Sequence, residues 1–158
     1  MIYPLRQLLE IRSIRENTAM ARTVRAQTEV EAAVSYSLEK EKQFIECRND
    51  LCRQEDILLK NARNRKISLI ELESLQEKLS GMKFMETQYR NDAVAAAEKV
   101  EEAKMQAERV RSEYCIRQKQ KKKIEEHFQI WCRQQRIDRE RALEEDLDEL
   151  TIGRKKQT

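Results

Sequence analysis

Glycine and proline are nearly missing from this chain: 158 residues contain two glycines and one proline. Average domains use both more often, because turns and bends consume them. That scarcity excludes folds built from many short strands and turns. Aromatics make up only 5% of the residues, too few to fill a broad core. No apolar run approaches the roughly 18 residues a membrane-spanning helix needs, so no membrane insertion is expected. The opening "MIYPLRQLLEIR" shows no apolar block ahead of a small-residue cleavage site, so no secretory signal is expected either.

Charge of one sign is also lacking. Against 32 basic residues stand 29 acidic ones, leaving a net charge of +3. A domain that binds nucleic acid through phosphates would be strongly basic, so no nucleic-acid partner is expected. The only glycines, Gly81 and Gly153, cannot build a phosphate loop. The single histidine, His127, has no nucleophile with an orienting group near it and reads as a surface residue. Cys47, Cys52, Cys115 and Cys132 form no C-x-x-C pair, and Cys47 and Cys52 point about 140° apart on a helix, so free thiols are expected. The chain is expected to be no enzyme, with no catalytic, cofactor-binding or metal-binding residues and no cofactor.

What the chain does have is charge (39% of residues) and helix-forming residues in a long repeat. From Leu72, steps of three and four residues reach Leu75, Leu79, Met82, Glu86, Tyr89, Ala93, Ala96, Val100, Ala103, Ala107 and Val110. The same phase runs on through Tyr114, Arg117, Lys121, Ile124, Phe128 and Trp131, and only Glu86, Arg117 and Lys121 in it are charged. Sustained seven-residue spacing predicts a left-handed coiled coil. The first half is rougher. Its apolar pairs Phe44–Ile45, Leu51–Cys52 and Leu58–Leu59 recur seven apart, below Val24, Ala26, Val30, Ala33, Val34 and Leu38. Leu5, Leu8, Leu9, Ile11 and Ile14 begin it, with Pro4 in a first helical turn.

Between the halves, Ser68-Leu69-Ile70-Glu71 is an S-x-x-E capping box, which places a reversal near residues 62 to 68. Ser80-Gly81 is the rival turn, although the repeat passes straight through it. The expected fold is all-α: a long antiparallel two-helix coiled-coil hairpin in a single domain spanning 1–158. Helix 1 is expected over about 4–61, helix 2 over about 69–150 and a basic tail over 151–158. Residue i then faces roughly 132 − i, which sets alanine-rich 93–107 against the small residues 26–34. Leu58 would meet Leu75, and Leu51 would meet Met82. A Gly81 turn would instead set Cys47 against Cys115.

In that register Trp131 and Phe128 close the coil against Ile2, Tyr3 and Leu5. The second helix then extends past the N-terminus, by roughly 25 Å to Leu150, with Ile137, Leu143, Leu147 and Leu150 unpartnered and Gly153 as a stop. The basic run 117–123 reads as a solvated face, an acidic-protein docking patch or a phosphate contact. Leucines near the turn read as turn packing or as a second docking site.

Taken together, "YPLRQLLEIRSIRE", the mid-chain turn, "IELESLQEKL" and a late tryptophan before a charged helix resemble the type III secretion central-stalk family, YscO/SctO with flagellar FliJ. The resemblance covers nearly the whole chain as layout, on loose leucine and charge motifs. It implies a stalk seated in the hexameric secretion ATPase and linked to the export gate protein, with export chaperones as further partners. It also implies a bacterial, cytoplasmic location at the inner-membrane face. In that family both termini point into the ATPase pore, which would assign Leu5, Leu8, Ile11, Trp131, Ile137, Leu143 and Leu147 to the ATPase end. The family's gate-contacting pair matches Leu75 and Leu79, where relatives often carry Phe or Trp. A generic coiled-coil scaffold or homodimeric tether is the competing class. The hairpin should be a monomer on its own, the tether two chains.

Overall fold

Ser68 and Glu71 carry out the local step that makes two helices from one repeat. In the computed structural model, which describes residues 2–155 with the side chains of 153–155 excepted, the Ser68 backbone N–H donates to Glu71 Oε2 at 3.1 Å. The Glu71 N–H donates back to Ser68 Oγ at 3.3 Å. This reciprocal pair satisfies two donors that a helix start leaves open. Helix α1 spans Arg6–Arg63 and α2 spans Leu69–Lys155, so the chain reverses within 64–68. Lys60 and Arg63 occupy the last turn of α1, where cations suit the helix dipole. The fold is an all-α hairpin of two long helices packed against each other, with no strand among the described residues.

Two ends differ from expectation. Pro4 and Leu5 form a turn ahead of α1 rather than its first helical residues. Gly153 does not stop α2, which continues to Lys155. A lone glycine costs a helix only about 1 kcal/mol, too little to end it without a partner that rewards the stop. Residues 156–158 of the expected basic tail lie outside the described residues.

The residues form two compact units, Thr23–Arg109 and Met1–Arg22 with Val110–Thr158. In the first, which holds the turn, Ala26, Leu51, Ala96 and Val100 are buried. Ala96 is only 2% exposed, because small side chains bring the two backbones close at this level. Near the turn, Leu51 shares a groove wall with Met82, and Leu58 with Leu75. Arg90 lies over the Phe44 ring at 5.6 Å. The α2 helix runs through Gly81 unbroken, and no described glycine has a positive φ. The four cysteines are free.

The first helix corrects the sequence reading. Of its doubled apolar pairs, Phe44, Leu51 and Leu58 turn inward while Ile45, Cys52 and Leu59 are exposed. Val24 and Leu38 are exposed too. The inward positions keep the three-four spacing by using polar residues: Arg12, Glu16, Ser37 and Lys40 are half-buried. The strip of core is one residue wide, so only one member of each doubled pair fits.

In the unit that holds the termini, this polar choice makes a charged layer. Lys121 Nζ donates to Glu16 Oε2 at 2.7 Å and lies 3.6 Å from Glu125 Oε1. Arg12 Nη1 donates to Gln120 Oε1, while Arg12 Nε is buried without a hydrogen-bond partner. The hydrogen bond to Glu16 holds the Lys121 ammonium above its ordinary pKa, against the opposing effect of desolvation. Polar seam residues of this kind lower stability but reject slipped registers, since a slip leaves each charge facing carbon.

Candidate functional site

The N-terminal segment is tied down by aromatic rings. Tyr3 is buried, with the Phe128 ring at 4.9 Å edge-on and the Trp131 ring at 5.4 Å. Tyr3 Oη and His127 Nδ1 share a hydrogen bond of 2.8 Å. His127 is thus an exposed residue with a structural partner, which its sequence context did not reveal. Of the residues expected to close the coil against Phe128 and Trp131, Tyr3 does so, while Ile2 is largely exposed. Leu5 and Leu8 are half-buried, Ile11 is exposed, and Leu9 lines the hollow beside the rings.

Past the cluster, Gln135 and Ile137 are half-buried, and every residue from 138 to 152 is exposed. Ile137 therefore corrects the expectation that it stands bare. Leu143, Leu147 and Leu150 are 63%, 62% and 70% exposed. Apolar side chains this open, at i, i+4 and i+7 on one helix, form a stripe with nothing against it among the described residues. Of the residues expected at this end, then, Leu5, Leu8, Trp131 and Ile137 are half-buried, and Ile11, Leu143 and Leu147 are exposed.

At the turn, Leu75 and Leu79 are half-buried in the seam between α1 and α2. Their neighbours Leu69 and Ile70, 72% and 78% exposed, are the residues that face outward. Leu75 and Leu79 lie on the heptad phase and Leu69 and Ile70 do not, although Leu72, also on it, is exposed beside the turn. The Arg65 guanidinium lies 3.2 Å from Glu71 Oε1. Hydrogen bonding from the Ser68 backbone, joined by the nearby Arg65 charge, holds the Glu71 carboxyl below its ordinary pKa. Just behind the turn, a groove of about 870 Å³ is lined by Cys47, Leu51, Ile57, Met82, Met85 and Tyr89 among others.

No helix of the described residues is long and apolar enough to cross a membrane. No group of three or more His, Cys, Asp or Glu among them is placed to hold a metal ion. No protein-family model, curated protein or solved structure matches the chain.

Proposed function

We propose that this protein is the central coupling stalk of a type III secretion system. Its terminal end binds the hexameric secretion ATPase, its turn end contacts the export gate protein, and export chaperones are further partners. It acts in the bacterial cytoplasm, at the inner-membrane face. One observation carries the reading: α2 continues as an exposed helix past its aromatic closure, with a leucine stripe uncovered at its end. A hairpin that only tethered two objects would need no such stripe.

At the ATPase end, Trp131 packed on Tyr3 fixes the root of the helix while Leu5, Leu8, Ile11, Leu143 and Leu147 supply contact, and Ile137 marks the boundary. At the gate end, Leu75 and Leu79 hold the seam beneath exposed Leu69 and Ile70. The work is mechanical. A stalk that touches six subunits unequally favours a different conformation in each and so couples nucleotide turnover to the gate. Deleting residues 133–158 should lower affinity for the purified hexameric ATPase at least tenfold, with helix content and a single-chain mass retained in light scattering. Undiminished affinity of the truncated chain contradicts the proposal.

A further inference from the structure

The leucine stripe at the end of α2 is not a continuation of the seam. Carried past Trp131, the seam phase falls on Gln135, Asp138, Ala142, Glu145 and Glu149, a polar row. Leu143, Leu147 and Leu150 lie about 100° to 160° around the helix from Trp131. A longer α1, or any helix extending the hairpin in register, would therefore cover the polar row and leave the leucines bare. The stripe belongs to a different kind of contact.

Charge narrows the occupant. Between 140 and 149 stand Glu140, Glu144, Glu145, Asp146, Asp148 and Glu149 against the single base Arg141. On a helical projection Glu144 and Glu140, the latter 3.9 Å from Arg136 Nε, border one side of the leucine stripe, and Asp146 borders the other, where Arg139 stands one turn before Leu143. A second copy of the same helix laid on this stripe would bring acid rim onto acid rim, and anionic lipid or nucleic acid would be repelled in the same way. Resting on the reading of this end as a partner-binding end, we propose that residues 140–150 dock as a helix into an apolar groove bordered on both sides by lysine or arginine. The three leucines are the i, i+4, i+7 anchors of helix-in-groove recognition. The acid rims set orientation and accelerate encounter, which makes the contact sensitive to salt.

The test uses the full chain in the cells that make it, with p-benzoylphenylalanine in place of Thr151, beside the stripe. Ultraviolet adducts are mapped by mass spectrometry. The expected adduct lies on a protein groove whose apolar positions are flanked by Lys or Arg. Its yield should fall at least about tenfold in L143S/L147S/L150S and in E140Q/E144Q/D146N. Circular dichroism confirms that the helices persist in both variants. The proposal is overturned by the absence of any adduct, by an adduct on an acidic or flat surface, or by a yield indifferent to both variants. If the groove has the stated chemistry but belongs to a protein other than a hexameric ATPase, the docking inference stands and the functional reading falls. If the full chain binds the hexamer and neither variant changes the adduct, the reverse holds.

Discussion

Within the unit that holds the termini, α2 uses apolar residues in two ways. From Val110 to Trp131 they recur at seven-residue spacing, and Val110, Tyr114, Ile124 and Trp131 are half-buried against α1. Leu143, Leu147 and Leu150 sit on another face, exposed, among acids that outnumber bases. Both stretches read as amphipathic helix. What separates them is phase: the covered stripe keeps its register, while the bare one shifts face and is edged mainly by acids, with Arg139 one turn before it.

The contrast is broken most severely by comparing leucines of the two kinds. Leu51 is buried in the seam, so Leu51→Ala should cost about 2–5 kcal/mol of stability in urea unfolding. Leu147→Ala should stay within about 0.5 kcal/mol of the parent, since no described residue packs on it. Similar losses for both would mean that the terminal stripe is covered after all.

A smaller effect tests the turn. Ser68→Ala removes a helix N-cap and should cost about 1 kcal/mol. The Glu71 side of the box adds a pH signature. Its folded pKa lies below the ordinary 4.5, so its contribution is present above that value and is lost as pH falls through the lower folded one. The cost of Glu71→Gln, which weakens the acceptor of the Ser68 N–H, should therefore shrink under acid. A pH-independent cost of Glu71→Gln would mean that this half of the box does not form.

Smallest is a gain. A Cβ at Gly81 would meet nothing within 4 Å, and the residue is helical. Gly81→Ala should raise stability by about 0.5–1 kcal/mol. A loss would show that the chain bends there.

Much of α2 was legible because its seam from Leu75 to Trp131 keeps one heptad phase of mostly apolar and small residues, broken by charge only at Glu86, Arg117 and Lys121. The capping box was legible because Ser and Glu at that spacing do one thing before an apolar run. The first helix was harder. Its inward positions include Arg12, Glu16 and Lys40, which look like surface residues, and its apolar residues come in pairs of which one faces water. The register could be reasoned from matching side-chain size, but which residue of a doubled pair turns inward depends on a partner helix that local pattern does not describe. The leucines near the turn illustrate the same limit: their pattern reads equally as turn packing or as a docking surface, and it is the partner helix that half-buries Leu75 and Leu79 while Leu69, Ile70 and Leu72 stay exposed. Tyr3 and His127 meet across 124 positions of sequence, and no local pattern joins them.

The most direct test is amide hydrogen exchange on the full chain, free and with the purified hexameric secretion ATPase. In the free protein, amides of 110–131 should be protected, while those of 138–152 exchange fast, as expected of a helix without tertiary cover. With the hexamer present, 138–152 should become protected while 69–109 stay unchanged. Fast exchange of 138–152 that persists in the presence of the hexamer would contradict the account.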